Sequence, residues 1–151
     1  MSTMNELYRQ VIVEHFKNPR NKGLIKSDDY QSLRLKNPSC GDDVTICVKL
    51  ENGVITDVRH DGSGCSICCS SASVMTEVIK GKTIDEAYDI IEDFYHLIKG
   101  EEVKNEEALD EAMAFGGVAQ FPARVKCATL SWKALGAIIA FNRGEEDAKE
   151  Q

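Results

Sequence analysis

Val44-Thr45-Ile46-Cys47-Val48-Lys49-Leu50, then Glu51-Asn52-Gly53, then Val54-Ile55-Thr56-Asp57-Val58-Arg59-His60-Asp61: this stretch decides the fold. Val44, Ile46, Val48 and Leu50 alternate with Thr45, Cys47 and Lys49, the period of a strand with one buried face. Asn52-Gly53 supplies the positive φ angles that a tight hairpin needs, so residues 54–61 return as the antiparallel partner. Upstream, residues 30–36 read as a first, irregular strand that completes a meander.

Outside this core the period becomes helical. Leu7, Tyr8, Val11, Ile12 and Phe16 form an apolar stripe over residues 5–18, and Pro19 ends it. From Ser66 onward, Ser70, Ser71, Ala72, Val74, Met75 and Val78 suit a helix packed closely on the sheet and ending at Lys80-Gly81. Thr83 and Glu86 form a capping box, and the helix they open runs through Tyr88, Ile91, Phe94 and Tyr95 towards Gly100. A shorter helix is expected from Asn105 to Gly116-Gly117, carrying Leu109, Ala112 and Met113. The last starts near Pro122 and runs through Leu130, Leu135, Ile138 and Phe141 to Gly144. Strands first and helices afterwards predict an α+β domain: a small antiparallel three-stranded sheet with helices packed on one face, spanning residues 1–151 as one unit.

A hydrophobic fraction of 42% over 151 residues supports a real core without disulfide staples. The net charge of −7 argues against a nucleic-acid surface, which carries a basic patch. Glu101, Glu102, Glu106, Glu107, Asp110 and Glu111 crowd one stretch and Glu145, Glu146, Asp147 and Glu150 the tail, read here as a solvated face and a frayed end. No apolar run approaches the ~20 residues of a membrane span, and the N-terminus lacks the basic start and apolar core of a signal peptide. The expectation is therefore a cytoplasmic protein, in which six cysteines point to metal ligation or thiol chemistry before disulfides.

Three cysteines stand out by setting. Cys40 follows the turn-forming Asn37-Pro38-Ser39 and precedes Gly41-Asp42. Cys65 closes Gly62-Ser63-Gly64-Cys65, a loop meeting a helix N-terminus. Cys127 lies in the first turns of the last helix, after Arg124-Val125-Lys126. Glycine beside a thiol lets backbone approach closely, and a helix N-terminus favours the thiolate that a metal or an electrophilic sulfur requires. Spacing alone does not assemble them: only Cys65 and Cys68 show the Cys-x2-Cys of a zinc knuckle or redox pair. Against that pairing, Cys68 and Cys69 suit small buried positions on the packed helix face, and Cys47 suits plain strand packing. No βαβ pattern surrounds the pair, so a thioredoxin-like reading fails on context. Of the two adjacent carboxylates, Asp42 and Asp43, strand alternation aims only one at the site. His15, His60 and His96 lack ligand-like neighbours and read as structural or surface residues.

Asn18-Pro19-Arg20-Asn21, Asn37-Pro38-Ser39-Cys40-Gly41-Asp42, Gly62-Ser63-Gly64-Cys65-Ser66-Ile67 and Val125-Lys126-Cys127, in that order, resemble the IscU-like iron–sulfur scaffold family. The resemblance runs from the first helix to the last. It implies an antiparallel sheet with helices on one side and three cysteines meeting at one end. Cluster-scaffold members carry His directly before the third cysteine, where this chain has Lys126. That feature and the long acidic segment near residues 100–121 are similar to the SufU branch. This branch implies a zinc-dependent sulfur acceptor working with a cysteine desulfurase and downstream iron–sulfur assembly proteins. By resemblance the zinc ligands are Cys40, Asp42, Cys65 and Cys127, and Cys40 receives the sulfur. Three thiolates and a carboxylate are a plausible tetrahedral set for Zn²⁺, with thiolate bonds near ~2.3 Å. Arg124, three residues before Cys127, is placed to hold Asp42 or steady a released Cys40 thiolate, or simply to face solvent. Two other readings stand beside the sulfurtransferase: a scaffold that assembles and donates a [2Fe–2S] cluster on the same cysteines, and a purely structural zinc domain.

Overall fold

The computed structural model describes residues 2–144, and the acidic tail from Glu145 lies outside them. Helix α1 (Ser2–Lys17) precedes strands β1 (Tyr30–Asn37), β2 (Asp42–Glu51) and β3 (Val54–Ser63), followed by α2 (Ser66–Ile79) and α3 (Ile84–Ile98). A single α-helical turn, α4 (Glu106–Leu109), leads into a 3-10 segment (Asp110–Gln120), and α5 (Pro122–Asn142) closes the described chain. The strands form one antiparallel sheet in the order β1-β2-β3, as the hairpin predicts. Asn52 and Gly53 take φ of 54° and 78°, the two positive values of the expected two-residue turn. Thr83 and Glu86 make both hydrogen bonds of the capping box.

Val44, Ile46 and Val48 point into the core, and α2 and α5 pack against the sheet. Helix α3 lies against α5, and α1 against α2. Phe94 stacks on Trp132 with ring centroids 3.9 Å apart. Trp132 Nε1–H donates to Ser71 Oγ (2.9 Å), which itself donates to the Ala128 carbonyl (2.6 Å), so the polar groups under the stack are satisfied. His15, 1% exposed, bridges Ser73 Oγ and Glu111 Oε1, each at 2.7 Å, and so ties α1 to α2 and the 3-10 segment. No helix among the described residues is long and apolar enough to cross a membrane.

Two expectations need correction. The helix expected over 105–117 is α-helical for one turn only. Asp110 sits at φ 49°, which breaks the α-helical path, and the residues beyond it continue as a 3-10 segment that still buries Ala112, Phe115 and Val118. Gly62 and Ser63, expected in a flexible loop, belong to β3: Gly62 pairs with Val44 and Ser63 with Asp43.

Candidate metal centre

Each strand and helix end that meets at this site has a local reason to stop there. At the end of β1, the Asn37 carbonyl accepts the N–H groups of Cys40 (3.2 Å) and Gly41 (2.9 Å), while its Oδ1 accepts that of Ser39 (3.2 Å). This turn presents Cys40 at the surface and returns the chain into β2 at Asp42. Strand alternation then separates the two acids. Asp42 turns inward and is 1% exposed, whereas Asp43 turns outward and pairs bidentately with Arg34 at 2.9 and 2.6 Å.

Two glycines make room where β3 enters α2. A Cβ on Gly62, at φ 138°, would fall 2.0 Å from the Asp43 carbonyl oxygen. A Cβ on Gly64 would fall 2.5 Å from Asp42 Oδ1. The second is the more telling, because only a residue without a side chain lets the Cys65 N–H reach that same Oδ1, at 3.0 Å.

Cys40 Sγ lies 2.8 Å from Asp42 Oδ2 and 3.4 Å from Cys127 Sγ, and the donor atoms of Cys40, Asp42 and Cys127 all fall within 4.8 Å of one another. Cys65, half-buried, borders this trio without joining it. Its thiol accepts the Cys68 N–H (3.5 Å) as the N-cap of α2 and acts electrostatically on the Cys127 thiol. Arg124 is exposed and acts on Asp42 by charge, with no ion pair between them among the described residues.

Burial alone would raise the Asp42 pKa. The thiols of Cys40 and Cys127, the Cys65 amide and the charge of Arg124 outweigh it and hold the carboxylate below its usual range. Burial, reinforced by hydrogen bonds with Asp42 and Cys40 and by the Cys65 thiol, pushes the Cys127 thiol well up. Such a thiol is a poor free nucleophile, but a bound cation reverses that balance. The donor set fits a borderline-soft divalent ion: thiol sulfurs clustered with one carboxylate oxygen, Oδ2, whose sister Oδ1 is already held by backbone.

The remaining cysteines behave differently. Cys68 is fully buried, and burial together with the Asp42 charge raises its pKa strongly, the signature of an inert packing thiol. Cys69 is only half-buried, less than expected, with its thiol 3.6 Å from the Gly64 carbonyl. Cys47 is fully buried on the outer face of β2, between its cross-strand neighbours Ser32 and Arg59. Sequence reading missed the parts played by Asn37 and Gly64. The Asn-Pro turn signal and the second glycine of Gly-Ser-Gly-Cys were visible, but not the groups they serve.

The chain is similar to known proteins in sequence and fold. The family model described as the NifU-like N terminal domain matches residues 7–140. The chain is 43% identical over 143 residues to the zinc-dependent sulfurtransferase SufU of Bacillus subtilis, covering 95% of this chain and 96% of the relative. It is 35% identical over 151 residues to the iron–sulfur cluster assembly scaffold protein IscU of Streptococcus pyogenes, covering 100% and 94%. A crystal structure of a protein described only as hypothetical superposes with a TM-score of 0.83 at 38% identity, covering 89% of this chain and 98% of that one. A match across nearly the whole chain makes this protein a member of the NifU-like N-terminal domain family, the group of IscU and SufU.

Proposed function

We propose that this protein, an iron–sulfur cluster assembly protein of the IscU/SufU family, acts there as a sulfur acceptor: Cys40 takes persulfide sulfur from a cysteine desulfurase and passes it to later assembly proteins. The observation that carries the reading is an asymmetry between two neighbouring thiols. Cys40 and Cys127 lie 3.4 Å apart, yet Cys40 is exposed and Cys127 is 1% exposed. A site meant only to hold structure gains nothing from one ligand left open to a partner. Zinc would be held by Cys40, Asp42, Cys65 and Cys127, and when bound it supplies the positive charge that keeps these thiols deprotonated.

The transfer itself is thiol exchange. The Cys40 thiolate attacks the outer sulfur of the partner's persulfide, and the S–S bond of that persulfide breaks. The electron pair leaves with the partner's cysteine as thiolate, and the new persulfide sits on Cys40. Asp42 Oδ2, facing Cys40 Sγ at 2.8 Å, orients the sulfur, while the Cys65 N–H on Oδ1 prevents the carboxylate from turning away. Cys127 stays behind, too buried to meet a partner.

A second reading, a scaffold for a [2Fe–2S] cluster as cargo, draws support from the same cluster of Cys40, Asp42 and Cys127, with Cys65 at its border, and from relatives bearing that name. Lys126 in place of an imidazole beside Cys127 favours the acceptor. The deciding experiment measures alanine release by a cysteine desulfurase with and without the zinc-loaded protein. Several-fold acceleration that disappears in Cys40→Ala is expected. No acceleration by the loaded wild type would end the acceptor reading.

A further inference from the structure

On the far side of the Cys40 turn lies a slot of about 190 Å³ between β1 and α5. Its floor is Leu35 and Leu130, and its rim is Lys36, Lys126, Lys133 and Asn37. Lys126, Leu130 and Lys133 follow the i, i+4, i+7 spacing that puts them on one stripe of α5. Lys36, near the end of β1, lines the slot across from that stripe.

The rim offers donors only. Among the described residues, no carboxylate comes within 4.0 Å of the three lysine ammonium groups. Asp43, which pairs with Lys36 across the strands and feels its charge, is held by both arms of Arg34. Asn37 is 7% exposed, its Oδ1 is taken by the Ser39 N–H, and its amide NH₂ donates to no side chain or backbone group among the described residues. Three cations and an unused amide donor around one small slot are the complement of a carboxylate. In a chain of net charge −7, where acidic partners are repelled elsewhere, such a patch is selective.

We propose that this slot receives an aspartate or glutamate side chain of the sulfur-donating partner, and so sets that partner over Cys40. The inference rests on the acceptor reading. Asn37 joins the two places physically, because it lines the slot and its carbonyl holds the Cys40 turn. Lys126 joins them a second time, being next in sequence to Cys127. A protein side chain fits better than a free anion, since a mobile ion in the slot would do nothing to bring a persulfide to Cys40.

The test is a binding titration of zinc-loaded full-length protein against a cysteine desulfurase. Wild type is compared with a Lys36→Glu, Lys126→Glu, Lys133→Glu triple variant, and with an equally charged control, Lys26→Glu, Lys99→Glu, Lys104→Glu. The first variant should bind about tenfold or more weakly at about 50 mM salt, with the gap closing near 300 mM, while the control stays close to wild type. Zinc content and unfolding midpoint, read on the same samples, should match wild type and exclude misfolding. Equal binding by wild type and the slot variant overturns this proposal alone. Failure of wild type to bind the desulfurase at either salt overturns the acceptor reading and this proposal with it. Competition by inorganic phosphate beyond that of sodium chloride at matched ionic strength would assign the slot to a free anion, and would also overturn it.

Discussion

Asp42 and Cys65, 23 residues apart, are joined by a hydrogen bond from the Cys65 N–H to Asp42 Oδ1 at 3.0 Å, which fixes the start of α2 to the start of β2. In the proposed zinc site each of the two residues would bring a donor atom, and this bond sets their spacing without metal. Asp42→Asn keeps an oxygen for the amide but gives a far poorer ligand, whereas Asp42→Ala removes both. Chelated Asp42→Asn should unfold close to chelated wild type, and Asp42→Ala should lose about 1–3 kcal/mol from the unsatisfied buried amide. Both should retain less zinc after dialysis. Denaturant unfolding with metal analysis checks this, and full zinc retention by both variants would remove Asp42 from the ligand set.

Gly64→Ala should damage the centre without unfolding the protein. The added methyl would meet Asp42 Oδ1 at 2.5 Å, so either the carboxylate or the Cys65 N–H must move. Gly117→Ala is the control, because its Cβ would meet nothing within 4 Å. Metal stoichiometry should fall for the first and hold for the second.

Among single cysteine variants, Cys40→Ala, Cys65→Ala and Cys127→Ala should each abolish stimulation of the desulfurase. Cys47→Ala and Cys68→Ala should retain it and lose about 1 kcal/mol of stability, because both thiols are fully buried in packed surroundings. Loss of metal from Cys68→Ala with retention in Cys127→Ala would return the assignment to the local Cys-x2-Cys pair.

How much of this was legible in the sequence depends on the range of the forces involved. The β2–β3 hairpin and the capping box follow from neighbours within a few residues, and both are seen. Alternation says only that one of Asp42 and Asp43 turns inward, and it is the resemblance that picks Asp42. The 3-10 segment was misread because Leu109, Ala112 and Met113 are spaced for a helix, while the φ of Asp110 is not written in that spacing. The His15 bridge to Ser73 and Glu111, 58 and 96 residues away, has no local signature at all. Nor has the lysine slot, since Lys36 meets Lys126 and Lys133 only after β1 has packed on α5.

His60 gives the fold a pH dependence of definite sign. Burial lowers its pKa, with the charges of Lys22 and Arg59 acting in the same direction; the Arg20 carbonyl on Nε2 and the charge of Asp61 oppose them without prevailing. The folded protein therefore holds the ring neutral where the unfolded chain would protonate it near its usual value of about 6.5. The stabilisation is complete above that value and is lost as pH falls below it, at up to ~1.4 kcal/mol per pH unit, until the folded ring also protonates. Unfolding midpoints at neutral and mildly acidic pH should show a smaller acid loss in His60→Gln than in wild type. An identical pH slope in the two would remove His60 as the cause.

Lys126→His separates acceptor from scaffold on a single side chain. Lys126 is exposed on the first turns of α5, beside the buried Cys127, and its ammonium cannot ligate iron while it stays protonated. Imidazole there adds a good iron or zinc ligand within one residue of the thiol cluster. Wild-type protein given iron, cysteine and a desulfurase without oxygen should accelerate alanine release while forming little lasting visible absorbance. Lys126→His should hold a longer-lived iron–sulfur chromophore on the same cysteines. Removing one slot lysine should also raise the concentration needed for half-maximal stimulation. The two effects are read in one reaction, absorbance for the cluster and alanine for the sulfur. A stoichiometric, transferable chromophore on the wild type, with no gain in turnover from zinc, would make cluster building the task of these cysteines.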